Sequence, residues 1–89
     1  MNILDELEKA FMYIEYYMDS NSMEKFISCE YKDIYQFNFI FGLWIRNNLL
    51  VDEGKLLNIF KLAGITQIED MTDLIIRLYY IYIKYKKKF

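Results

Sequence analysis

Apolar residues recur at three- and four-residue steps along almost the whole chain, and no proline interrupts them. Such spacing lines residues up on one side of a helix that turns every 3.6 residues or so. Proline is the residue that most reliably breaks a helix interior, so its absence leaves the pattern continuous. The chain is read as all-α. With 89 residues it holds one core, because two would each fall below the size at which burial outweighs chain entropy. The expected architecture is a compact bundle of four to five helices in a single domain, residues 1–89.

Five segments follow. A first helix spans 2–18, with Ile3, Leu4, Leu7, Phe11, Ile14 and Met18 on one face. The run Asp19-Ser20-Asn21-Ser22 breaks it, since these side chains bond local backbone and favour turns and caps. A short second helix covers 23–29, turning Phe26 and Ile27 inward. A third covers 34–48, with Asp33 as N-cap and Gln36 three residues on. It is apolar nearly all round, which implies burial on most sides. Gly42 in its middle costs about 1 kcal/mol relative to alanine, and close approach of another helix backbone is the expected return. A fourth helix, 53–63, is capped by Asp52 and turns Leu56, Leu57, Phe60 and Ala63 to the core. Gly64 then suits a left-handed stop, with Ile65 as the apolar contact after it. A last helix ends near residue 86, its start marked by Thr66 with Glu69, or by Asp70 or Thr72. Its main face is Met71, Leu74, Ile75, Leu78, Tyr82 and Tyr85, extended by Ile76, Tyr79, Tyr80 and Ile83, and it packs centrally against the third.

Composition matters because the chain is richer in apolar residues than it can hide. They make up 55% of the sequence, and 19% is aromatic, whereas a domain this small buries only about 60% of its unfolded surface. Exposed apolar patches usually mark interfaces, so a protein partner or a homodimer is expected. Charge is uneven: residues 1–40 carry eight acidic and three basic side chains, residues 41–89 five acidic and eight basic. Four of the latter, Lys84, Lys86, Lys87 and Lys88, close the sequence, where they complement a helix dipole and keep the end in water. The amphipathic acidic N-terminus does not read as a signal peptide, which is expected to have a basic start and an unbroken apolar stretch. No apolar run nears the roughly 20 residues of a transmembrane segment. A single cysteine, Cys29, allows no internal disulfide. The expected location is cytoplasmic.

Chemistry is constrained by what is missing. There is no histidine, hence neither the commonest general base nor the commonest metal ligand. One cysteine without histidine cannot assemble a structural zinc site, and no glycine-rich phosphate loop or calcium loop is present. The five serines and threonines lie at turns and helix ends. Glu69, Asp70 and Asp73 read as a solvated first helical turn favoured by the dipole. The chain is therefore read as not an enzyme, with no cofactor and no metal. Tyr79, Tyr82 and Tyr85 beside Lys84, Lys86 and Lys87 form only a loose basic stripe, so a nucleic-acid partner is not expected.

The most informative group is Gly42-Leu43-Trp44-Ile45-Arg46-Asn47-Asn48 with Glu69-Asp70-Met71-Thr72 downstream. Leu43, Trp44 and Ile45 point to different sides of one helix. Arg46 follows an apolar run and is costly to bury without a partner; Asp70 or Asp73 could clamp it, joining two helix ends. Alternatively Trp44, Arg46 and Asn47 form a recognition surface, since Trp and Arg dominate interface hot spots. The run Phe41-Gly42-Leu43-Trp44-Ile45-Arg46-Asn47-Asn48, then Leu56, Phe60, Gly64-Ile65, Asp70-Met71-Thr72, Ile75-Ile76 and Tyr80, resembles a family of small bacterial domains of unknown function. The family pattern runs F-G-L-G-x-W-I-R-N, a leucine/phenylalanine helix, G-I, then D-D-M-S and an apolar-aromatic helix. The resemblance covers residues 39–85. The chain has Gly-Leu-Trp where members carry one more glycine and residue, Glu69-Asp70 for the paired aspartates and Thr72 for the serine. The resemblance implies a helical fold and no reaction.

The resulting expectation is a non-catalytic protein-interaction module, by analogy an immunity-type inhibitor of a basic bacterial toxin. The acidic residues Glu6, Glu8 and Glu15 would form the face that steers the partner. The alternatives are a homo-oligomeric structural protein, or a weak nucleic-acid or membrane binder acting through the C-terminal lysines.

Overall fold

A computed structural model describes residues 3–51 and 54–85. Five α-helices follow in order: α1 (Ile3–Tyr17), α2 (Ser20–Ser28), α3 (Phe37–Asn48), α4 (Lys55–Leu62) and α5 (Ile68–Lys84). A 3-10 turn, Tyr31–Gln36, leads into α3, and no strand occurs among the described residues. The all-α single globule expected from periodicity is what forms. Helix α5 packs against α3, α2 and the 3-10 turn, and its contact with α3 is the most extensive in the molecule. Helix α1 lies on α4.

The helix ends follow local chemistry, in places differently from the sequence reading. Asp19 does not finish a turn but caps α2: its Oδ1 accepts the Ser22 N–H at 2.7 Å, so the Ser20-Asn21-Ser22 run becomes the first helical turn. That hydrogen bond holds the Asp19 carboxyl below its ordinary range. Residues 34–48 are not one α-helix. The 3-10 turn carries Ile34 fully into the core before α3 begins, and Asp33 lies within it and caps nothing. Helix α4 starts after Gly54; the proposed cap Asp52 and its neighbour Glu53 lie outside the described residues. At the other end the expectation holds. Gly64 has φ of 90°, its N–H reaches the Lys61 carbonyl at 3.0 Å, and the Ile65 N–H reaches that of Phe60 at 2.9 Å. These paired bonds satisfy carbonyls that a helix end leaves free. Ala63, expected inward, is exposed, because the turn has already carried the chain off the core. No Thr66–Glu69 capping box forms: α5 starts at Ile68 without a side-chain cap, leaving Asp70 and Thr72 inside it.

The core is aromatic. Phe11, Phe26, Phe60 and Tyr79 are among its largest fully buried side chains. On α5 the buried stripe is Met71, Thr72, Ile75, Ile76, Tyr79 and Tyr80. Leu74, Leu78 and Tyr82, expected at its centre, are half-buried, and Tyr85 is exposed. The stripe is rotated because α5 is covered on two sides, by α3 and by α2, so its deepest line falls between them. On α1, Leu4 is exposed and borders an apolar groove with Leu7, Phe11 and Leu78.

Gly42 does not face another helix backbone. A Cβ there would meet the Thr72 methyl of α5 at 3.5 Å and the Arg46 guanidinium at 3.7 Å. Both are ordinary contacts. Since a helix-interior glycine forfeits up to about 1 kcal/mol relative to alanine, Gly42→Ala is expected to stabilise the fold by roughly that amount. Urea unfolding followed by circular dichroism measures it; a lowered midpoint would mean that α3 and α5 cannot accept one methyl group.

Candidate interaction face

Helix α3 buries Phe37, Phe41 and Ile45 at four-residue steps, with Gly42 beside them. The expectation of burial on most sides fails on the opposite side. Phe39 is 96% exposed, Ile40 58% and Leu43 61%. The steps 39, 43 and 46, with 40 and 47 beside them, run as one stripe along the outer face. No other described helix covers it. The reason is geometric: among the described residues α3 turns one side to α5 and no element lies over the other.

The residues singled out in the sequence fall on or near this stripe. Trp44 is half-buried at its side, its ring stacked on Tyr17 from the end of α1 at 4.5 Å. That stack joins the exposed tyrosines of α1 to the α3 face. Asn47 is exposed at the C-terminal end. Asn48 Nδ2 donates to the Trp44 carbonyl at 2.9 Å, satisfying a free carbonyl of the last turn. Arg46 is half-buried and lies back over Gly42, where the absence of a side chain leaves room for the guanidinium. With Asn38, Phe39 and Leu43 it lines an open depression of about 440 Å³.

The expected clamp between Arg46 and Asp70 or Asp73 does not form. Among the described residues no carboxylate lies within ion-pair distance of Arg46. Asp70 is exposed in the first turn of α5. Asp73 instead accepts from Arg77 Nε at 2.8 Å, one turn along its own helix, and from Asn38 Nδ2 of α3 at 3.1 Å. Arg77 in turn lies over the Tyr31 ring at 5.2 Å. The Asp73 hydrogen bond, with a smaller one from Tyr31, raises the Arg77 guanidinium above its ordinary range. A polar tie between α3 and α5 therefore exists, built from Asn38, Asp73 and Arg77. Its one visible signal was the four-residue spacing of Asp73 and Arg77.

Nor do Glu6, Glu8 and Glu15 make one acidic face. Glu8 and Glu15 are seven residues apart and share a side of α1, whereas Glu6 points nearly opposite. Glu6 is mostly covered and pairs with Lys9 at 3.4 Å. Glu15 is half-buried near enough to Tyr79 to help raise its phenol, an effect caused mainly by burial. Only Glu8 is exposed. Of the basic C-terminal group, Lys84 donates to the Ile27 carbonyl at 3.1 Å and sits over Tyr80; Lys86, Lys87 and Lys88 lie outside the described residues. Cys29 donates to the Phe26 carbonyl at 3.2 Å. Burial, then the nearby Asp33, push its thiol up, which lowers its reactivity. Among the described residues no group of three or more Cys, Asp or Glu side chains could hold a metal ion, and no helix is long and apolar enough to cross a membrane.

Fold and site together define a small all-helical domain with an uncovered apolar helix face. The chain belongs to the family described as a domain of unknown function, DUF6794, which it matches over residues 5–83. The match takes in α1 and α2, ahead of residue 39, where the motif resemblance began. No curated protein and no solved structure matches the chain.

Proposed function

We propose that this domain is a non-catalytic protein-interaction module whose contact surface is the outer face of α3. The observation that carries the reading is the exposure of Phe39, Ile40 and Leu43 on one helix. Large side chains in water on a helix anchored by its other side are what an interface core needs: apolar area that loses little freedom on binding. Trp44 and Arg46 at its margins are the residue types that supply most interface energy. An inhibitor of a basic toxin would draw on the acidic first 40 residues. The dispersal of those acids over α1 supports that finer reading less than the α3 face supports a general one.

Replacing both Phe39 and Leu43 with aspartate should leave the fold intact, since neither side chain is in the core, and should abolish partner retention. Leu62, 89% exposed on α4, provides the control: Leu62→Asp should retain the partner. A partner kept by all three proteins at equal yield would reject the α3 face. The second reading, self-association, draws on the same stripe, and sedimentation of the wild type against the double variant distinguishes it.

A further inference from the structure

We infer that the α3 face receives an amphipathic helix from a different protein, one carrying a carboxylate that pairs with Arg46; this rests on the interaction reading above. The stripe holds one cation and no acid: Gln36, Phe39, Ile40, Leu43, Arg46, Asn47. Arg46 is half-buried, and no described carboxylate answers it. A guanidinium that has lost part of its water gains most from a charged, bidentate acceptor. In the wall of the same depression Asn38 Oδ1 is buried without a hydrogen-bond partner; as an acceptor it would take a donor from the incoming helix, not its carboxylate. Among the described residues the site therefore presents a positive charge without an acidic partner, folded back beside Phe39 and Leu43 in one depression.

A second copy of this chain does not complement that pattern. A two-fold pairing sets the stripe against itself, bringing two arginines together with apolar and amide side chains and no carboxylate between them. An anionic membrane would meet Arg46, but also the excess negative charge of residues 1–40, which opposes it. An amphipathic helix covers the apolar side chains and meets the one local cation with one acid, so it brings far less negative charge up to residues 1–40 than a lipid surface does. Phe39 to Leu43 spans roughly 6 Å at 1.5 Å per residue. That is room for apolar residues one turn apart, at i and i+4 over Phe39 and Leu43, with Asp or Glu within a turn of them to reach the guanidinium folded back over Gly42.

The test uses the full chain as bait against a displayed library of helical peptides of about 16 residues, long enough to hold a stable contact helix. Enriched peptides should carry the i, i+4 apolar pair with an acid within one turn of it. Arg46→Gln should weaken the leading peptide by about tenfold or more, and Arg46→Lys by less. Arg46→Glu should bind the peptide whose acid is changed to lysine better than it binds the original. Circular dichroism of each variant checks that the fold is kept. Enriched peptides without an acid, or indifferent to Arg46→Gln, overturn the acidic partner. If these still depend on Phe39 and Leu43, the α3 face stands without it. Peptides indifferent to Phe39→Asp with Leu43→Asp overturn the face itself, and so does a failure to enrich any. Co-sedimentation with phosphatidylserine vesicles that is lost in Arg46→Gln assigns the site to lipid and overturns a protein partner.

Discussion

Replacing Phe26 with alanine is expected to cost about 3–5 kcal/mol, the usual loss for truncating a buried phenylalanine. Phe26 is completely buried and touches four rings. It meets Phe37, Phe41 and Tyr80 edge-on at 5.1, 5.8 and 5.6 Å, and stacks on Tyr79 at 5.8 Å. Three parts of the molecule, α2, α3 and α5, thus converge on one side chain, and edge-on aromatic pairs add stabilisation beyond their buried area. It is also the sole fully buried anchor of the nine-residue α2, which is too short to persist on its own in water. A domain of this length holds about 4–13 kcal/mol in total, so the truncation removes about a quarter of it or more. Urea unfolding monitored by circular dichroism gives the loss directly. Amide exchange should show α2 opening ahead of α3 and α5 in the variant. A cost below about 1 kcal/mol would mean that the cluster repacks around the void, contrary to the behaviour of close-packed interiors.

Asp73→Ala is the second large effect expected, at about 1–2 kcal/mol. Its carboxylate holds Arg77 and the Asn38 amide together. Removing it strips Arg77 of its ion pair and leaves Asn38, whose Oδ1 is already without a partner, unbonded at both ends. Charge-assisted bonds contribute about 1.5–3 kcal/mol when well formed. The Asp73 side chain is 37% exposed and that of Arg77 29%, so water screens part of the interaction and the lower range applies. A double-mutant cycle with Arg77→Ala separates the ion pair from the Asn38 bond. Additive losses would show that the Asp73–Arg77 pair contributes no net stability, and that the tie between α3 and α5 rests on the Asn38 bond alone.

Phe26 was legible in the sequence as an inward residue; its place at the hub was not, because the rings around it come from residues 37, 41, 79 and 80. The stop at Gly64 was readable to the residue, since a left-handed turn after an apolar helix depends on neighbours within five positions. Asp19 and Asp33 show the opposite case. Both are good cap residues by type, yet the chain uses Asp19 and passes over Asp33, because carrying Ile34 into the core requires a 3-10 turn there. Arg46 is legible in the sequence as an anomaly; the failure of Asp70 or Asp73 to answer it is not. Asp73 has Arg77 one helical turn away, and a neighbour already held by the same backbone outcompetes one that must be reached across the bundle.

What residue order by itself determined is therefore the local part: an all-α chain, its approximate helix spans, the glycine stop and most of the inward residues. Periodicity and capping act over a few positions, and those positions are adjacent in the chain. Tertiary structure alone decided which sides of the helices are covered. Helix α3 is apolar around nearly its whole circumference, and nothing in its own residues says that Phe41 is enclosed while Phe39 stands in water. That difference is set by where α5 lies, since among the described residues no helix is laid over the other side.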